Sequence, residues 1–177
     1  SGFRQARVKD GVAMVRFANK LDMALEAGKR VSELWVDKEL TALRKELGGF
    51  LSLSFETIAG FGPHGAIVHY EATEATDAEI AANGLLLLDS GAHYLCGTTD
   101  ITRTFCIGEP TEEEKRVYTL VLKGHLQLQN MHFPMGTTGV QLDTAARMAM
   151  WREGYDFGHG TGHGVGHVLG VHEGPVQ

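Results

Sequence analysis

Between Gly158 and Gly174, seven of seventeen residues are glycine and four are histidine, which rules out a helix for this stretch. Each glycine in a helix interior costs about 1 kcal/mol relative to alanine. Glycine at this density suits an extended or looped backbone that must approach a metal ion or a substrate closely. The neighbouring apolar residues Phe157, Val165, Val168, Leu169 and Val171 argue against a loose linker. His159 and His163 stand four apart. On a helix, with glutamate after the first, that spacing makes a zinc site with a general base. Here Gly160 holds the glutamate position, so that chemistry is excluded.

Upstream, the periodicity alternates between helix and strand. An amphipathic helix is predicted from Phe3 to about Ala27, with Ala6, Val12, Ala13, Met14, Phe17, Leu21, Ala24 and Leu25 on a broad apolar face and Gly28 as its stop. A second runs over Val31–Leu47, capped by Ser32 and ended by Gly48-Gly49. Phe50–Ile58 alternates as a strand, Gly60–Pro63 reads as a turn, Ala66–Tyr70 as a short strand and Glu71–Asn83 as an exposed loop. Residues 84–107 read as an antiparallel hairpin with its turn at Tyr94–Gly97. Thr111 and Glu114 form a capping box for a third helix to about Asn130, and Thr138–Glu153 is a fourth, ended by Gly154. Helices segregated from antiparallel strands indicate an α+β fold, and no linker-like composition divides residues 1–177.

The hairpin places two carboxylates on adjacent strands. Asp89 closes the apolar run Leu85–Leu88, and Asp100 lies eleven residues on. A carboxylate at the end of a buried strand is costly unless paired or bound to a cation, and two that converge repel each other. A divalent metal removes both penalties. The plainer alternative makes Asp89-Ser90-Gly91 a turn and pairs Asp100 with Arg103. Two aspartates with several histidines suit Mn, Co, Fe or Zn better than Ca or a thiolate cluster. Two metals held about 3.5–4 Å apart by bridging carboxylates are a recognised hydrolytic design.

Other function classes are excluded more simply. A net charge of -6 is the wrong sign for a nucleic-acid binder. No apolar run approaches the ~20 residues that span a bilayer, and Ser1–Asp10 lacks the pattern of a signal peptide. Two cysteines, Cys96 and Cys106, are too few for a disulfide framework, so a cytoplasmic setting is expected.

Four segments, in order and at the right spacing, carry a resemblance: Phe55–Tyr70 (FETIAGFGPHGAIVHY), Leu88–Gly91, Gly97–Thr104 and Gly158–Pro175. Val121–His125 also fits. Together they resemble the metallopeptidases of the pita-bread fold, and within them the aminopeptidase P (Xaa-Pro aminopeptidase) family, over essentially the whole chain. The resemblance implies an α+β fold with an antiparallel sheet carrying helices on one face, and two divalent metal ions, Mn first among Mn, Co, Zn and Fe. It implies Asp89 as a chelating ligand, Asp100 as a bridging ligand and His163 as the imidazole ligand. His69 would sit near the scissile amide nitrogen, His172 would stabilise the oxyanion, and His159 would line the proline pocket. The nucleophile would be a hydroxide between the metals. The substrate would be a peptide with proline second, the enzyme a cytoplasmic homodimer without nucleic-acid or membrane partners.

One departure qualifies this. The family pattern has two further glutamate ligands, one in a Glu-Pro-Gly context and one near the domain end, and Gln177 precedes both. One of them is also the expected general acid/base. Glu173 belongs to the His172-Glu173-Gly174-Pro175 motif, where the family uses the histidine. The chain therefore reads as a truncated catalytic domain without the family's N-terminal domains, inactive alone. Prolidase or methionine aminopeptidase on the same fold is one alternative. A non-catalytic pita-bread module that binds peptides or histones is another.

Overall fold

The computed structural model describes residues 1–81 and 83–174. Pro175 of the His-Glu-Gly-Pro motif lies outside the described residues. Among the described residues two compact units are present, one of residues 1–109 with 165–172, the other of residues 110–164 with 173–174.

The first unit begins with two helices, α1 (Gly2–Glu26) and α2 (Glu33–Lys45). Ser32 caps α2, its hydroxyl accepting from the Trp35 N–H at 3.3 Å. Strand β1 (Phe50–Leu53) pairs with β4 (Ala92–Tyr94), which pairs with β5 (Gly97–Thr98). Strand β2 (Ile58–Phe61) pairs with β3 (Gly84–Ser90), which pairs with β6 (Ile101–Ile107). The hairpin read across residues 84–107 is therefore present, but it spans two sheets: its base is β3–β6 and its tip is β4–β5.

Alternation along β3 builds the core. Leu86 and Leu88 are fully buried against Phe17 and Leu21 of α1 and Val36 and Leu40 of α2, joined by Ala59 of β2. Removing such a leucine to alanine costs about 2–5 kcal/mol. Leu85, Leu87 and Asp89 point to the opposite face and are half-buried. Helices thus cover one face of this sheet, as expected.

Three local expectations differ. Phe50–Ile58 is not one strand: β1 ends at Leu53, Ser54 keeps one more bond to the first sheet through its N–H to the Gly91 carbonyl at 3.1 Å, and the chain then enters the second at Ile58. Ala66–Tyr70 is not a strand. A 3-10 turn over Gly62–Ala66 is followed by successive turn bonds, Ile67 N–H to His64 and Tyr70 N–H to Ile67, each 3.1 Å. Val12 of α1 is 39% exposed, because Asp10 rather than Val12 lies on the buried stripe with Ala6, Ala13 and Phe17.

The second unit is an α-hairpin of α3 (Glu112–Gln129) and α4 (Gly139–Trp151). Thr111 forms the expected capping box with Glu114, and Thr138 forms one with Gln141. The glycine–histidine run is non-helical, as its composition requires, and contains β7 (Gly164–Val165) and β8 (His172–Glu173), which form a two-stranded ribbon. Among the described residues no helix is long and apolar enough to cross a membrane.

Candidate metal centre and its supports

Asp89 pairs with Thr102 across β3–β6, and Ser90 pairs with Ile101. Asp100 precedes β6 and lies two residues before Thr102, so strand alternation gives it the same face as Thr102 and Asp89. Diagonal neighbours on antiparallel strands are about 7–8 Å apart at the backbone, with side chains closer. The Thr102 hydroxyl donates to Asp89 Oδ1 at 2.7 Å and orients that carboxylate. Both carboxylates are half-buried. Asp89-Ser90-Gly91 is strand and corner rather than a turn. The Arg103 guanidinium donates to the Thr102 carbonyl at 2.6 Å.

Gly91 makes this corner possible. A Cβ there would run into the Thr99 carbonyl and the Ser54 hydroxyl. With glycine, Ser54 Oγ donates to the Thr99 carbonyl at 2.9 Å, and the Thr99 hydroxyl accepts the Ala92 N–H at 2.9 Å. Thr99, the neighbour of Asp100, is thereby tied to both sides of the bend.

Behind the corner lies a buried ion pair. Arg44 of α2 donates through Nε to Asp10 Oδ1 at 2.6 Å and through Nη2 to Oδ2 at 3.1 Å, and both side chains are fully buried. Nη2 also donates to Ser90 Oγ at 3.0 Å, while the Thr99 hydroxyl donates to Asp10 Oδ2 at 2.6 Å and the Tyr94 hydroxyl to Oδ1 at 3.1 Å. Burial, with the Asp10 charge second, raises the Tyr94 pKa above its usual value.

A second buried carboxylate shapes the segment before His69. Glu33 accepts from Phe61 N–H (2.7 Å), His64 Nδ1 (2.9 Å), the Tyr70 hydroxyl (2.8 Å) and Ala78 N–H (3.1 Å). Gly60 lets the 3-10 turn close down, since a Cβ there would stand 2.8 Å from the Gly65 nitrogen. His69 follows in a left-handed conformation (φ 57°) and is exposed, next to the anchored Tyr70.

His159 and His163 belong to the second unit. Arg147 of α4 donates to Asp143 Oδ2 (2.8 Å), Asp156 Oδ1 (2.9 Å) and the carbonyls of Phe157 (2.5 Å) and His159 (2.8 Å), with its guanidinium 3.9 Å from the Phe157 ring centre. The Thr161 hydroxyl donates to Asp143 Oδ1. That bond, then the one from Arg147, holds the Asp143 carboxyl below its usual range. Bonding to Arg147, then to the Phe157 N–H, does the same for Asp156. The run is thus fastened to α4 at its start. His163 Nδ1 lies 2.8 Å from the Gly164 carbonyl. An Nδ1–H donated there puts the ring lone pair on Nε2, the tautomer that ligates through Nε2.

His172, in β8, is exposed. Before it, Val168 adopts φ 69°, costly for a β-branched residue, and its N–H donates to Thr98 Oγ1 at 3.2 Å. His93, buried beside Thr98, has its pKa lowered by burial first and by His167 second.

The structure therefore keeps Asp89 and Asp100 on the two arms of one hairpin and places His163 and His159 in the other unit. Among the described residues, no three His, Cys, Asp or Glu side chains form a group that could hold a metal ion. The donor chemistry of the corner nonetheless fits a divalent cation: it carries two half-buried carboxylates of like charge, whose repulsion a cation would offset. The supporting groups Asp10, Arg44, Glu33, Asp143 and Arg147 are absent from the sequence reading. Their signal was a charge on an apolar helical stripe, as with Asp10 between Ala6 and Ala13.

The chain is similar to known proteins along nearly its whole length. A probable Xaa-Pro aminopeptidase P of Laccaria bicolor is 49% identical over 98% of the chain, which spans only 27% of that relative. The X-prolyl aminopeptidase of Caenorhabditis elegans, described as a cytosolic enzyme with a di-nuclear active site, superposes with a TM-score of 0.94 at 46% identity, over 99% of this chain and 29% of its own. An Xaa-Pro dipeptidase from Bacillus anthracis superposes at 0.81 with 32% identity, over 98% of this chain and 46% of its own. The fold is the pita-bread type, and across residues 1–177 the chain matches, and belongs to, metallopeptidase family M24.

Proposed function

We propose that this chain carries the greater part of the catalytic domain of an Xaa-Pro aminopeptidase, which hydrolyses the bond between an N-terminal residue and a following proline. One observation supports the reading: Asp89 pairs with Thr102 across β3–β6, and Asp100 lies two residues before Thr102 in the same hairpin. The names of the relatives above support the substrate class. Asp89 and Asp100 would supply the carboxylate ligands and His163 the imidazole ligand, with Asp100 shared between the two ions. Manganese is the expected metal, with cobalt, zinc and iron compatible with the same donors. When bound, the ions activate a water for attack and polarise the scissile carbonyl.

The remaining roles fall to this chain's side chains. A proline amide is tertiary and lacks an N–H, so recognition rests on shape. His159, its ring 4.8 Å from that of Phe157, offers a flat wall for the pyrrolidine ring. His172 donates an imidazole N–H to the developing oxyanion. His69 stands near the scissile nitrogen. A cytoplasmic homodimer is the expected form of the whole protein.

The test is substrate length. The full-length protein loaded with manganese should cleave Xaa-Pro-Yaa tripeptides in preference to Xaa-Pro dipeptides. Preference for the dipeptide would make it a prolidase, and no hydrolysis of either would favour a binding module.

A further inference from the structure

We propose that the buried Asp10–Arg44 ion pair is a positioning device for the metal carboxylates, setting from behind the sheet the spacing of Asp89 and Asp100. The inference rests on the reading of those two residues as ligands. Its basis is a matched pair of contacts. Arg44 holds Ser90, the neighbour of Asp89, and Asp10 holds Thr99, the neighbour of Asp100. Strand alternation turns Ser90 to the helix side while Asp89 faces the other way, so a grip on Ser90 fixes the mount of Asp89 without touching its carboxylate. Thr99 and Asp100 stand in the same relation across the bend. The grip reaches both strands from two different helices, and Arg44 and Asp10 lock each other through two hydrogen bonds.

Packing alone does not call for this arrangement. Desolvating two charges costs several kcal/mol, and well-packed apolar residues of similar volume often serve stability as well or better. A charged fork contributes direction. Its hydrogen bonds specify where Ser90 and Thr99 sit, and a two-ion site requires its ligands within about 0.5 Å of the productive geometry. Asp10 and Arg44 touch no substrate and no reacting atom, so they are positioning residues.

The test uses the full-length protein, stripped of metal and titrated with Mn²⁺ while free Mn²⁺ is followed by its electron paramagnetic resonance signal. Thr99→Val, which also takes the acceptor from the Ala92 N–H, and Ser90→Ala each remove one grip and leave no new buried charge. Each should weaken Mn²⁺ binding, by up to about the 10- to 100-fold that losing a direct outer-shell contact costs. Thr99→Ser, which keeps the hydroxyl, should restore affinity to near the wild-type value. A folded Thr99→Val protein that binds Mn²⁺ like wild type, with only a lower unfolding temperature, would overturn the proposal. If Thr99→Val does not fold, Ser90→Ala decides by the same criterion. Asp89→Asn separates the two readings, because undiminished Mn²⁺ binding there would refute the ligand assignment itself.

Discussion

Glu33→Gln should loosen one segment of the first unit and leave the rest unchanged. Each Glu33 oxygen serves one backbone N–H, Oε1 that of Phe61 at 2.7 Å and Oε2 that of Ala78 at 3.1 Å. A glutamine has one oxygen and one NH₂ in those places. Turned one way, its NH₂ faces Phe61 N–H; turned the other, it faces Ala78 N–H. His64 and the Tyr70 hydroxyl can adapt, since an imidazole nitrogen and a phenol can both accept, but a backbone N–H cannot. One N–H is therefore orphaned in either orientation. Such a loss costs about 1–3 kcal/mol, with the lower part of the range applying because both amides are only half-buried. At about 1–2 kcal/mol, local opening becomes about 5- to 30-fold more frequent. Hydrogen exchange by mass spectrometry should show that acceleration in peptides covering residues 58–80, which contain His69, with α1 and β6 unaffected. Unchanged exchange across 58–80, or equal acceleration everywhere, would refute the reasoning.

Further outcomes follow from other contacts. Gly91→Ala places a methyl against the Thr99 carbonyl, which is backbone and cannot rotate away. It should destabilise by about 1–3 kcal/mol or more and lower metal affinity, measured by thermal unfolding and Mn²⁺ titration. Arg147→Met removes the anchors of the Phe157 and His159 carbonyls. Exchange over residues 156–164 should accelerate while the circular dichroism of the helices is preserved. His93 has a folded-state pKa below the usual value of about 6.5. Below pH 6.5 the unfolded chain then binds the extra proton, so stability falls with falling pH until the folded pKa is reached. His93→Gln should flatten that acid-side slope in denaturant melts across pH 5–7.

Periodicity carried α1, α2 and the hairpin because each buries one face against a common core. Thr111 with Glu114 and Ser32 before α2 set helix starts through purely local bonds, and these were readable. The split of Phe50–Ile58 into two sheets was not, since it depends on Ser54 meeting Gly91, far along the chain. Ala66–Tyr70 has strand-like residues, but Glu33 draws His64 and Tyr70 inward and folds the segment into turns. Within the candidate site, Asp89, Asp100 and the histidines were visible as motifs. Arg44, Asp10 and Arg147 act through tertiary hydrogen bonds, which leave almost no local mark beyond a charge where an apolar residue belongs.

The central claim is that Asp89 and Asp100 hold a pair of metal ions, and metal content of the full-length protein tests it most directly. Wild type should retain two equivalents of Mn²⁺ after dialysis, and Asp100→Ala, lacking the bridging carboxylate, should retain neither. An Asp100→Ala protein that still carries two equivalents would contradict the account.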